Sequence, residues 1–142
     1  MKRGIDYIGV GVGGVIINGD NKILLLLRRK PPEEGCWSIP GGAVEFGETI
    51  ETAILRELSE ELDINGEIIS LLRVTNHIGK DSSFHWVSPA FLVRVTHGNP
   101  TNVEPDSHQD MAWFSIDSLP ENVTITTALA IESYRDYLRS IE

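Results

Sequence analysis

The chain has a single cysteine, Cys36, in 142 residues. That excludes an intrachain disulfide and fits a reducing compartment. Long hydrophobic runs are missing too: no stretch approaches the ~18 apolar residues a membrane-spanning helix needs. The opening residues, MKRGIDYIGV, lack the sustained apolar segment and small-residue cleavage site of a secretory signal. A soluble, cytoplasmic protein with no membrane partner is therefore expected. Basic residues are scarce, with 12 Lys and Arg against 21 Asp and Glu, a formal net charge of −9. A nucleic-acid polymer is an unsuitable partner for such a surface, because phosphate backbones are bound by basic ones. A small phosphate ester is not excluded, but an anionic ligand on an acidic protein calls for a divalent cation. No repeat, low-complexity tract or linker interrupts the chain, and its length suits one domain, residues 1–142, with a core of its own.

Carboxylates are abundant, and they concentrate between Gly42 and Ile64, GAVEFGETIETAILRELSEELDI. Thr49 is placed to cap a helix that runs to Leu62, and Asp63 to Gly66 supply residues that tolerate the left-handed conformation of a helix end. With Thr52 where Glu or Gln would stand, the capping box is incomplete. The apolar stripe Ile50, Ala53, Ile54 continues at helical spacing onto positions 57 and 61, both glutamates. Glu57, Glu60 and Glu61 stand at i, i+3 and i+4, so their carboxylates crowd within about one turn and repel unless a cation lies among them. Hard oxygen donors in such a group suit Mg²⁺, with Mn²⁺ a possible substitute.

Along the rest of the chain, Ile5–Asn18 and Lys22–Arg29 read as strands flanking the hairpin-type turn Asn18-Gly19-Asp20-Asn21. Gly9, Gly11, Gly13 and Gly14 do not form a dinucleotide-binding turn, since a strand follows where that motif needs a helix. They let another backbone or a ligand lie close. Residues 30–35 form a loop, 36–40 a short strand in which Trp37 packs, and Pro40-Gly41-Gly42 a sharp turn. Segments 67–78 and 84–96 read as strands, with His77 and His85 at the ends of the loop between them. Neither has the neighbours of a zinc site. The polar stretch 101–110 is expected to arch over the site, followed by a strand at 111–116. A final helix from Thr126 carries Ala128, Ile131, Tyr134, Leu138 and Ile141 as its core stripe. Strands, a helix, more strands and a last helix indicate an α/β fold with a mixed sheet between helices.

Gly42, Glu48, the Arg56-Glu57 pair and the Glu60-Glu61 pair fall at the offsets of the Nudix box, and the chain resembles the Nudix hydrolases, MutT-like members included. Asp63 stands where the family usually has Gly. The likeness extends to Pro40-Gly41-Gly42 before the box and to Glu104-Pro105 and Trp113 after it. The resemblance implies the Nudix fold, an α/β/α sandwich with a mixed sheet. It also implies a divalent-metal-dependent hydrolase that cleaves the pyrophosphate linkage of a nucleoside diphosphate joined to another group. Its metal ligands would be Glu57, Glu60, Glu61 and the Gly41 carbonyl, with Glu57 a candidate base and Arg56 and Glu48 supporting the site. Apart from the resemblance, Arg28 and Arg29 emerge at the end of the second strand, where they are either ordinary solvated strand-end residues or, for Arg29, a contact to the substrate's phosphates. The family often adds a loop carboxylate five residues after the glutamate at position 104, where this chain has Gln109. Asp110 or Glu104 would then take that place, or the box works unaided.

The Glu-Pro and Trp pattern favours a nucleoside triphosphate, giving a monophosphate and pyrophosphate, with ADP-ribose or a nucleotide sugar as the alternative. Rivals of other classes are a non-catalytic ligand sensor on the same fold, an acidic interaction module, and an isopentenyl diphosphate isomerase using Cys36. The partner is expected to be a small nucleotide, and the chain a monomer or homodimer.

Overall fold

A computed structural model describes residues 1–142. The Asn18–Asn21 turn forms as its residues dictate. The Asn18 N–H donates to the Lys22 carbonyl at 2.9 Å, and Asn18 Oδ1 accepts from the N–H groups of Asp20 and Lys22 at 2.9 and 3.0 Å. Yet the strands it joins, β1 (Gly9–Ile16) and β2 (Lys22–Arg28), share only the isolated bridge Ile17–Ile23 before parting into different sheets. Burial is the physical reason. Ile23 to Leu26 are all fully buried, Leu24 and Leu26 in the cluster on one face of β2 and Ile23 and Leu25 in that on the other. A strand apolar on both faces belongs in the middle of its own sheet.

The remaining elements are β3 (Trp37–Ser38), β4 (Gly41–Ala43), α1 (Ile50–Leu62), β5 (Asn65–Ile78), a short 3₁₀ turn at Lys80–Ser82, β6 (His85–His97), β7 (His108–Ser115) and α2 (Ile125–Ser140). A four-stranded sheet runs β4-β1-β6-β5 and a three-stranded sheet β3-β2-β7. Only the β1–β6 pair is parallel, so the four-stranded sheet is mixed. α1 covers one side, where Ala53, Ile54, Leu58 and Leu62 meet Val12, Ile16, Leu24, Leu26 and Phe91. α2 covers the other, where Ala130, Ile131 and Tyr134 meet Val15, Ile23, Leu25 and Leu92. This is the expected α/β/α sandwich. Each fully buried aliphatic chain in it contributes about 1.5–3 kcal/mol.

Several local expectations are corrected. β1 starts at Gly9 rather than Ile5, because residues 2–7 fold into a tight turn closed by Gly4 N–H to the Tyr7 carbonyl at 2.7 Å. The Trp86 indole occupies the space a Cβ at Gly4 or Gly9 would need. The Pro40-Gly41-Gly42 turn is the passage of the chain from β3 in one sheet to β4 in the other. β7 begins at His108, three residues ahead of Met111. In α2 the buried face is Thr127, Ala130, Ile131 and Tyr134, whereas Ala128 is exposed and Ile141, past the helix end, is 63% exposed.

Candidate active site

α1 is built as its sequence indicates. Thr49 Oγ1 accepts from the Thr52 N–H at 3.0 Å, and Asp63 ends the helix in the left-handed region (φ 56°, ψ 45°), its N–H on the Ser59 carbonyl. The helix therefore holds its glutamates at fixed heights against β4. Glu61 is buried at 3% exposure. Its Oε1 accepts from the Gly41 N–H at 3.0 Å and its Oε2 lies 3.3 Å from His108 Nε2. The side chain of Glu57 is 15% exposed, that of Glu60 54%.

Two glycines make room for this. A Cβ at Gly42 would lie 2.4–2.6 Å from the carboxyl atoms of Glu57, and one at Gly41 would lie 1.9 Å from the Val12 carbonyl oxygen in β1. Arg56 ties the loop to the helix. Its guanidinium donates to both oxygens of Glu48 at 2.7 and 2.9 Å, to Glu57 Oε1 at 3.0 Å, to Glu60 Oε2 at 3.2 Å and to the Ala43 carbonyl at 3.1 Å.

Electrostatics separate these carboxyls. Glu48 is held down at about 2, first by its hydrogen bonds from Arg56 and then by the Glu45 N–H. Glu57 is raised, chiefly by burial, with Arg56 opposing and the charges of Glu60 and Glu104 adding to the rise. Glu61 is pushed up to about 9, first by burial and then by the charge of Glu57. The His108 imidazole is lowered, by burial first and then by Arg28 and Lys30. Glu61, Glu104 and His108 each place one ligand atom within 4.8 Å of the others. Glu57 and Glu61, driven toward protonation by burial first and by neighbouring negative charge second, under a glycine cradle that admits Glu57, are a donor set that a divalent cation fits. Its charge would restore the ionised carboxylates.

The group opens on a cleft of about 370 Å³ between the two sheets, lined among others by Gly13, Arg28, Thr75, His77, Trp86 and Ser88. Glu57, Glu61, Gly41 and Glu104 are thus brought together, Glu60 sits at their exposed edge on Arg56, and Arg56 and Glu48 support them from behind. The segment 101–107 does dock at this end of the helix, through the Thr101 N–H on the Leu62 carbonyl and the Val103 N–H on the Glu61 carbonyl. Of the two loop acids, Glu104 enters the group. Asp110 is exposed, its Oδ1 taken by the Met111 N–H at 2.8 Å, and Gln109 lies in a separate shallow basin with Arg29. Arg29 donates to the Pro105 carbonyl at 2.7 Å and stands outside the cleft. Cys36 is also outside it.

Two residues of the cleft are not singled out by the sequence. Arg28, rather than its neighbour, lines the cleft, and His108 contacts Glu61. The one available signal for His108 was its spacing, four residues after Glu104 in a polar loop.

The sequence and fold have known counterparts. The chain is 38% identical over 112 residues to the ADP-ribose pyrophosphatase of Methanocaldococcus jannaschii, covering 79% of this chain and 64% of that protein. It is 33% identical over 105 residues to the putative 8-oxo-dGTP diphosphatase 2 of Mycobacterium tuberculosis, covering 72% and 70%. Some relatives are much longer, and the chain spans only 32% of putative nudix hydrolase 1 of Caenorhabditis elegans. Among solved structures, the MutT NUDIX hydrolase from Burkholderia pseudomallei superposes with a TM-score of 0.85 at 42% identity, covering 90% of this chain and 98% of that one. The NUDIX domain family model matches residues 8–134, and on that match, together with the box geometry described above, the chain belongs to the Nudix family.

Proposed function

We propose that residues 1–142 form a single-domain, divalent-metal-dependent pyrophosphohydrolase that cleaves a nucleoside diphosphate linked to another group. The observation that carries this is the gathering of carboxyls around Glu61, which lines the cleft with Gly41 and has Glu104 and His108 beside it, while Arg56 fixes the neighbouring Glu57. The residues that would hold the ion are Glu57, Glu60, Glu61 and the Gly41 carbonyl, with Glu104 reaching in from the loop. Bound there, Mg²⁺ or Mn²⁺ would neutralise diphosphate oxygens and make water a better nucleophile.

The side chains supply the rest. Glu57, raised by burial yet oriented by Arg56, is suited to hold the proton taken from the attacking water. Arg28 puts a positive charge in the cleft beside this acidic end, where a phosphate chain would lie. Thr75, His77, Trp86 and Ser88 offer a polar and aromatic wall for the nucleoside. A cleft of about 370 Å³ suits a mononucleotide-sized ligand.

A nucleoside triphosphate is the first substrate reading, on the Glu104-Pro105 and Trp113 pattern. ADP-ribose is the second, favoured by the name of the 38% identical relative. Steady-state rates on a panel of both classes, with and without EDTA, test this. We expect turnover only with the metal and at least a tenfold preference in kcat/KM for one class, about 1.4 kcal/mol of differential transition-state binding. Full turnover in excess chelator would refute the metal mechanism. A preference for ADP-ribose would reverse the order of substrates and leave the hydrolase reading intact.

A further inference from the structure

The donor set at Glu61 includes an imidazole. His108 opens β7 with Nε2 3.3 Å from Glu61 Oε2, and Glu104 completes a group whose ligand atoms lie within 4.8 Å of one another. Two donors bound side by side to one octahedral ion, each at ~2.0–2.2 Å from it, are themselves about 3 Å apart. The His108–Glu61 separation therefore fits an edge of a coordination shell as well as it fits a hydrogen bond.

The surrounding loop bears on which nitrogen is free. Asn102 Oδ1 and His108 Nδ1 are the two buried side-chain polar atoms without a hydrogen-bond partner. They belong to one loop, where Asn102 Nδ2 donates to the His108 carbonyl at 2.8 Å. Nδ1 is thus sealed from solvent with nothing paired to it. With the ring proton on Nδ1, Nε2 presents a lone pair on the Glu61 side, where a metal ion or the carboxyl proton can take it.

We propose that His108 Nε2 is a direct ligand of the divalent ion, and that this nitrogen shifts the site's preference toward first-row transition ions such as Mn²⁺ and Co²⁺ and away from Mg²⁺. An imidazole nitrogen is a softer donor than a carboxylate, and Mg²⁺ keeps to oxygen. Four of the five donors named for the site by the hydrolase reading come from Gly41 and the box glutamates. The loop histidine is what would distinguish this chain's ion preference. The inference rests on the metal-dependent reading above.

The test uses the full chain, stripped of metal and then loaded with Mn²⁺. Pulsed electron paramagnetic resonance reads whether a nitrogen is bound directly to the ion, and isotopic labelling of histidine nitrogen assigns that signal to an imidazole without any substitution. In parallel, calorimetry measures Kd for Mn²⁺ and for Mg²⁺ in wild type and in His108→Gln. A histidine nitrogen coupling is expected in wild type and its loss in His108→Gln, with Mn²⁺ binding weakened about tenfold or more and Mg²⁺ binding changed several-fold less. Mn²⁺ that binds with no nitrogen coupling, or an unchanged ratio of the two affinities, overturns the proposal while leaving the hydrolase reading in place. Binding that is undetectable, or insensitive to Glu61→Gln, overturns both.

Discussion

Arg56 grips Glu48 through two hydrogen bonds, Nε to Oε2 at 2.7 Å and Nη2 to Oε1 at 2.9 Å, while its third nitrogen holds Glu57 and Glu60. One planar guanidinium thereby sets the position of the loop before α1 relative to the carboxylates on it. Such a fork combines charge with direction, which Lys would not reproduce.

Glu48→Gln removes the negative charge from this fork while keeping the side chain's size. We expect kcat to fall about 10–100-fold, in the range seen when groups that orient metal ligands are lost. The pH dependence of stability has a definite sign. Glu48 is lowered from an ordinary 4.5 to about 2 in the folded state, so its contribution is present above 4.5 and disappears as pH falls through 2. Thermal melts in EDTA should show wild type above Glu48→Gln at pH 6, with the gap closing between pH 4.5 and 2. A gap that persists at pH 2 would count against ionic support by Glu48.

The two glycines of β4 should separate activity from folding. A Cβ at Gly42 would press on the free end of Glu57, which can swing aside. Gly42→Ala is therefore expected to fold and melt within a few degrees of wild type, yet lose about 10²-fold in rate, the scale of an ångström's misplacement. At Gly41 the obstacle is the Val12 carbonyl and the Gly13 Cα in the backbone of β1. Gly41→Ala should instead cost about 1–3 kcal/mol of stability. Melting and initial rates on the two variants decide, and equal loss of stability in both would show that the Glu57 cradle is part of the core packing.

Replacing Glu57, Glu60 or Glu61 by Gln should likewise divide function from fold. Burial first and neighbouring negative charge second disfavour the ionised carboxyls of Glu57 and Glu61, so a neutral amide at either should leave the metal-free protein as stable as wild type or slightly more so. Turnover should fall ~10²–10⁴-fold at Glu57 if it moves the proton. Melts in EDTA and rates at saturating Mg²⁺ check this. Variants that melt much lower but react at near-normal rates would place the active site elsewhere.

How much of this was legible in the sequence follows from how local each determinant is. α1 was legible because its cap at Thr49, its left-handed stop at Asp63 and the glutamates interrupting its stripe all lie within one stretch. The parting of β1 and β2 was not, since turn chemistry at Asn18–Asn21 dictates a reversal and says nothing of which sheet each strand joins. That Arg28 and not Arg29 lines the cleft was hidden for a similar reason. The β2–β7 ladder has an irregularity between Leu27 and Arg28, and a bulge there changes which side chain faces the cleft. In α2, Ala128 looks apolar on a helical wheel, but Thr127 is the residue the core takes, because its Oγ1 accepts from the Ile39 N–H at 2.9 Å. His108 gains meaning only from Glu61 on a helix far earlier in the chain, a contact made by folding.

Glu61 also makes the metal-free protein a pH sensor of its own site. Its carboxyl is raised from 4.5 to about 9, by burial first and by Glu57 second. Below pH 4.5 folded and unfolded chains both hold the proton. Between 4.5 and 9 the folded chain still holds it while the unfolded chain has released it, so this group's contribution to stability declines as pH rises through that window and levels off above it. Melts of wild type in EDTA should therefore fall in Tm from pH 5 to pH 9 more steeply than those of Glu61→Gln, which has no proton to lose. Saturating Mn²⁺ should reverse the trend in wild type, because the ion binds the ionised carboxylate and its affinity grows as protons leave. Parallel slopes for wild type and Glu61→Gln in EDTA would mean that Glu61 is ionised in the metal-free fold, and that burial beside Glu57 does not control its proton.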